Sequence, residues 1–149
     1  MKKVTIAIKR KNNAKDLSLP AYATPGASGL DLLADVESET ILEPGDIKLI
    51  SCGIYLGIPE GFEAEVRPRS GLALKHGITL VNSPGTIDSD YRGLVSLIVT
   101  NLGKASFTIK RGQRLAQLVI KEVIRAELEE VAELDETLRA SGGFGHTGV

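Results

Sequence analysis

The chain has 149 residues, among them 16 glycines, three tyrosines, three phenylalanines and no tryptophan. With 42% apolar residues, 25% charged residues and a net charge of -1, it has a globular composition, which excludes a disordered polyelectrolyte and a general nucleic-acid binder. Any anionic partner must therefore be met by a few placed arginines, and the length predicts one domain. No apolar run approaches the roughly 18 residues of a membrane span, and the short stretch after Lys2 and Lys3 is too brief for a signal peptide. Cys52 is the single cysteine, so no internal disulfide can form; set between Ile50 and Ile54, it reads as a small core residue in a reducing, cytoplasmic setting.

Taken in chain order, the dominant period is two. Val4, Ile6 and Ile8 alternate with Thr5, Ala7 and Lys9, which predicts a half-buried strand. Asp31 stands at the start of a strand directly after the small-residue loop 25–29. Ile47–Cys52 and Ile54–Ile58 read as strands, followed by Glu63–Arg67. The only helical stretch is short, near residues 70–75, with Ser70 as its N-cap after Pro68. Strands are predicted again at Ile78–Val81, Leu94–Thr100, Phe107–Ile109 and Arg114–Ile124. Leu94–Val99 is almost continuously apolar, which predicts cover on both faces. The segment Ala126–Leu138 allows a helix, but Glu127, Glu129 and Val131 alternate as on an edge strand, and a strand is favoured. Turn signals at Pro25-Gly26, Pro44-Gly45, Glu60-Gly61, Pro84-Gly85 and Leu102-Gly103 have the spacing of an all-β sandwich or barrel. The glycine-rich tail 137–149 cannot build a core of its own.

With two histidines seventy residues apart and one cysteine, the chain has no zinc spacing; it also lacks a nucleophile elbow and a Walker loop. Acids, arginines and glycine-rich turns remain, which is the equipment of phosphoryl chemistry done by positioning and electrostatics. Asp31 either follows a ligand loop or simply caps a turn. Arg67, Arg69, Ser70 and Gly71 lead into the helix start, as an anion site or as an ordinary cap with solvated arginines. In 81–93 the chain turns at Pro84-Gly85 and returns with Asp88 and Tyr91 near the turn. On a strand, Asp88 and Asp90 would share a face about 7 Å apart, whereas by local pattern the segment reads first as a solvated turn. Strand alternation in 112–119 puts Gln117 on the face opposite Arg114, as a structural or a ligand-contacting amide. Arg139 and Phe144 lie in a strip with four glycines that could fold over an anionic, flat-ringed ligand. The glycine excess concentrates in these segments and reads as close backbone approach to a ligand.

In this order the five segments resemble the five motifs of the trimeric dUTPases. Arg-Ser-Gly-Leu-Ala at 69–73, Gly-x-Ile-Asp-x-x-Tyr-Arg-Gly at 85–93, Arg-x-Ala-Gln-Leu at 114–118 and Gly-Gly-Phe-Gly at 142–145 are close matches. The resemblance implies a jelly-roll-like β-barrel over 1–136, a C-terminal lid arm over 137–149, and a homotrimer with sites shared between subunits. It further implies Mg2+-dependent hydrolysis of dUTP to dUMP and pyrophosphate. By position, Asp88 would orient the attacking water as general base, and Tyr91 would lie against the deoxyribose. Asn82 with the backbone of Gly85, Thr86 and Ile87 would read uracil. Arg69, Ser70, Gly71 and Gln117 would hold the phosphates, and Asp31 would meet magnesium through a water. Arg114 looks structural, pairing an acid between subunits. Arg139 would reach the γ-phosphate, with Phe144 stacking on uracil and Gly145 beside it. Leu30, Ala140 and His146 depart from the residues frequent in the family, where tyrosine, glycine and serine are common. A dCTP deaminase of the same fold and a catalytically silent nucleotide-binding trimer are the alternatives.

Overall fold

The computed structural model describes residues 3–143. Ten strands and one helix follow in order: β1 Ala7–Arg10, β2 Leu30–Leu33, β3 Thr40–Leu42, β4 Ile47–Gly57, β5 Phe62–Pro68, α1 Ser70–His76, β6 Ile78–Leu80, β7 Gly85–Ile87, β8 Leu94–Asn101, β9 Phe107–Ile109 and β10 Arg114–Glu122. They form two four-stranded antiparallel sheets, β1-β4-β8-β6 and β2-β10-β5-β7, and a small β3-β9 ribbon. Both large sheets contribute to one buried cluster, with Cys52, Ile54, Leu56, Val95 and Leu97 from the first and Leu32, Ala64, Val66, Ala116 and Leu118 from the second. This is a mainly β, jelly-roll-like architecture with one short helix. Among the described residues, no helix is long and apolar enough to cross a membrane.

The alternation of apolar residues explains which face of each strand turns inward. In β8 Val95, Leu97 and Val99 are buried. The opposite face is only partly covered among the described residues, because Leu94 and Ser96 are half-buried and Ile98 is exposed while Thr100 is buried, short of the cover expected on both faces. The two strands expected at 47–52 and 54–58 are one strand, β4, with an irregularity in its pairing to β8 between Ser51 and Tyr55. Gly53 lies in that break with φ 67°, in the left-handed region, and a Cβ there would stand 2.6 Å from Ala14 Cβ. Glycine is required at 53 on both counts. Cys52 beside it is buried, and burial followed by the nearby Asp35 charge pushes its thiol up to about 12, as suits a core residue.

Three other expectations are corrected. The first strand enters its ladder at Ala7, so residues 4–6 lie outside it. Helix α1 begins at Ser70, but Arg69 occupies the cap position and makes no side-chain cap bond; Gly77, φ 68°, closes the helix. The segment 126–138 is exposed and carries no strand. Its predecessor β10 lies between β2 and β5, and beyond Glu122 the chain leaves that ladder.

An ion cluster around the buried Asp35, just beyond β2, ties this strand to the rest of the barrel. The Asp35 carboxylate accepts from Arg111 at 2.6 Å and from Lys11 and Ser51 at 3.1 Å each. Arg111 also donates to both oxygens of Asp16 and to the carbonyls of Asn13 and Val36. Burial alone would raise the Asp35 carboxyl, but the bonds from Arg111, Lys11 and Ser51 outweigh it and hold the group below the usual carboxylate range. Hydrogen bonds from Arg111 likewise draw Asp16 down to about 2.

Candidate active site

The first group of site residues is assembled by a β-bulge. In β10 Arg114 pairs with Leu33 but Ala116 pairs with Leu32, so Leu115 is an extra residue and both Leu115 and Ala116 point into the core. That insertion reverses the alternation, because one added residue moves everything beyond it to the other face. Gln117 therefore shares the outer face with Arg114, not the opposite face predicted from simple alternation. It stands directly across from Asp31 in the β2-β10 register.

Asp31 is the centre of this group. Its side chain is only 11% exposed, and Arg114 donates to Oδ2 at 3.1 Å while Arg69 Nε lies 3.2 Å from Oδ1. Arg69 also reaches the Arg114 carbonyl at 3.4 Å. Arg114 thus pairs with an acid of its own chain. One carboxylate orients two guanidiniums and leaves the trio with a net positive charge beside the exposed Ser70 and Gly71 at the start of α1. Arg67 does not join them. It turns to Glu65, at 2.6 and 3.0 Å, while Lys121 takes the other oxygen of the same carboxylate at 2.7 Å. The bonds from Lys121 and then Arg67 hold Glu65 below its ordinary range.

The second group is the segment between β6 and β8. The chain passes exposed Asn82, turns through a cis Ser83-Pro84 peptide, and returns as β7, which pairs with Ala64–Val66 of β5. β7 ends at Ile87, so Asp88 and Asp90 lie in a turn and not on one face of a strand. The turn is closed by the Tyr91 amide donating to the Asp88 carbonyl at 3.2 Å and by Arg92 donating to the carbonyls of Ser89 and Tyr91. The Asp88 side chain is exposed, and among the described residues none is bonded to its carboxylate. Tyr91 hydrogen-bonds the Leu94 carbonyl at 3.2 Å, which fixes its ring against the chain.

Among the described residues, no hydrogen bond or ion pair joins the two groups, and Arg139 joins neither. Its Nε donates to the Gly142 carbonyl at 2.9 Å within a turn where Ala140 has φ 44°. Ala140 is thus in the conformation that favours glycine, which supplies a physical reason for glycine being frequent there. Phe144, Gly145 and His146 lie outside the described residues. Leu30 is half-buried opposite Leu118 and packs against the core.

The dUTPase family model matches residues 15–148. The chain belongs to the dUTPase family. A deoxyuridine 5'-triphosphate nucleotidohydrolase of Caldanaerobacter subterraneus subsp. tengcongensis is 58% identical over 146 residues, covering 98% of this chain and 99% of its own. One of Desulfotalea psychrophila is 53% identical over 148 residues, 99% of both chains. Among solved structures, the Staphylococcus bacteriophage 80alpha dUTPase with dUPNHPP superposes with a TM-score of 0.88 at 24% identity, over 99% of this chain and 100% of that one. The fold of this dUTPase-family chain is therefore that of the phage enzyme despite the low identity.

Proposed function

We propose that the chain hydrolyses dUTP to dUMP and pyrophosphate, with water attacking the α-phosphorus. The observation that carries the reading is the Asp31, Arg69 and Arg114 cluster, a preorganised cationic site beside Ser70, in a chain of this family. Arg69, Ser70, Gly71 and Gln117 hold the triphosphate. Asp88, exposed and with its carboxylate unengaged among the described residues, accepts the proton from water as the water oxygen bonds to phosphorus and the bond to the α/β bridging oxygen breaks. Pyrophosphate leaves. Asn82 and the backbone of Gly85, Thr86 and Ile87 read the uracil edge, and Tyr91 lies against the deoxyribose. This removes dUTP and supplies dUMP.

The residues also fit a magnesium ion. Asp31 Oδ1 is buried, ion-paired with Arg69, and accepts no hydrogen bond among the described residues, so it can take one from a metal-bound water. Among the described residues no three acids or histidines converge, so such an ion draws its remaining ligands from phosphates and waters. When bound, magnesium neutralises phosphate charge and polarises the phosphoryl oxygens.

The two groups of site residues come together between subunits of a homotrimer in this reading. An uncovered apolar row supports assembly: Leu49 stands opposite Ile98, the Val81 amide bonds the Ile98 carbonyl, and Leu49 and Val81 are 71% and 52% exposed. Such a row on a single chain marks a contact surface. The arm 137–149 then closes over a neighbouring site, bringing Arg139 to the γ-phosphate and Phe144 and Gly145 to the uracil. We place the enzyme in the cytoplasm, where one buried, unpaired thiol needs no oxidant. Incubation with dUTP, dCTP, dTTP and UTP in the presence of Mg2+ tests the activity. Release of dUMP and pyrophosphate from dUTP is expected; ammonia from dCTP, or tight dUTP binding without turnover, overturns it.

A further inference from the structure

We infer that Gly93 is a positioning residue that seats the Tyr91 ring and thereby sets the preference for a deoxyribose over a ribose; this rests on the reading of Tyr91 given above. The backbone does not demand glycine at 93. Among the described residues the glycines with positive φ are 45, 53, 61, 77 and 112, so Gly93 lies outside the left-handed region that favours glycine. What excludes a side chain is the ring. A Cβ at 93 would fall within contact distance of Tyr91 Oη and Cζ and 2.8 Å from Cε2, so the ring occupies the space of the missing methyl group. The bond from Tyr91 Oη to the Leu94 carbonyl pins the ring in that seat, while the side chain stays 45% exposed for a ligand.

Tyr91 is the movable partner in this contact. An alanine at 93 displaces the free end of an exposed side chain and leaves the backbone path of the turn intact. The same arrangement recurs under two other proposed ligand contacts. A Cβ at Gly85 would stand 3.0 Å from Asn82 Nδ2, and one at Gly29 would stand 3.0 Å from Gln117 Cβ. Neither glycine has positive φ. These glycines act by giving room to the side chains that meet the ligand, and Gly93, with the closest approach to its ring, is the sharpest case.

The test compares kcat/KM for dUTP and UTP in the wild type, Gly93→Ala, Tyr91→Ala and the double variant, with melting temperatures for each. Excluding one hydroxyl by shape gives discrimination on the order of 100-fold, so Tyr91→Ala should lower the dUTP to UTP ratio by about that factor. Gly93→Ala should lower it at least about tenfold, and the double variant should match Tyr91→Ala within about twofold, because both changes act through one ring. An unchanged ratio in Gly93→Ala beside a collapsed ratio in Tyr91→Ala overturns the inference and leaves the Tyr91 reading standing. An unchanged ratio in Tyr91→Ala overturns that reading and the inference with it. If Gly93→Ala fails to fold, recovery of folding in the double variant supports the clash with the ring. Failure of both Gly93 variants shows that glycine serves the backbone and overturns the inference.

Discussion

Replacing Asp35 by asparagine tests how β2, the strand that carries Asp31, is held. The substitution keeps the shape and removes the charge. In the wild type Oδ1 faces Arg111 and Oδ2 faces both Lys11 and Ser51, so an amide nitrogen in either position confronts a cationic donor with another donor. At least one charge-assisted bond is lost, worth about 1.5–3 kcal/mol, and the bonds that remain weaken because their acceptor becomes neutral. The side chain is 1% exposed, so water cannot replace them. A total of about 2–4 kcal/mol is expected at pH 7, which for a chain of this size lowers Tm by roughly 5–15 °C. The pH dependence has a defined sign. Asp35 is held below its unfolded value, so its contribution is complete above about pH 4, near the ordinary aspartate value, and is lost as the pH falls through the folded value. The gap between wild type and variant should therefore be full at pH 7 and shrink on acidification below about pH 4. Thermal unfolding followed by circular dichroism at pH 7, 5, 4 and 3, at fixed protomer concentration because assembly shifts Tm, measures it. A gap below about 0.5 kcal/mol at pH 7, or one that stays constant down to pH 3, refutes the assignment of a charged, load-sharing carboxylate.

Asp88→Asn should reduce kcat on dUTP by about 10²–10⁴-fold while calorimetry with a non-hydrolysable dUTP analogue still detects binding; unaltered turnover removes Asp88 from the role of base. Gly77→Ala should destabilise the fold by more than about 1–2 kcal/mol in urea, since φ is 68° and the new Cβ would stand 2.7 Å from Gly103 Cα. Ile98→Lys, placed in the uncovered row on β8, should reduce the mass seen by light scattering from that of an oligomer to that of one chain. If the variant keeps the wild-type mass, that face is not an interface. Limited proteolysis should show protection around Arg139 when the analogue is added, and equal cutting with and without it argues against closure of the arm.

The sequence by itself determined the local features and the family. Period-two alternation placed β6 and the second half of β4, because strand side chains alternate whatever the strand pairs with, while apolar runs between turn signals placed β5, β8, β9 and most of β10. Pro68 and the run to Lys75 announced α1, and Cys52 was legible as core from its apolar neighbours. The spaced motifs identified the dUTPase family where composition could not. Tertiary structure decided what depends on a partner. An extra residue in β10 is invisible in the string 114–118, yet the register against β2 makes Leu115 a bulge and turns Arg114 and Gln117 toward Asp31. Arg67 and Arg69 look equivalent in sequence, and only the neighbouring strands show that one is claimed by Glu65 and the other by Asp31. The segment 126–138 has strand alternation but joins no ladder among the described residues, and a strand without a ladder leaves its backbone to water. The glycines changed most. Their place in the motif segments suggested backbone approach to a ligand, and the structure adds that Gly29, Gly85 and Gly93 lie beneath Gln117, Asn82 and Tyr91, because what a missing Cβ makes room for is fixed by whichever side chain the fold brings there.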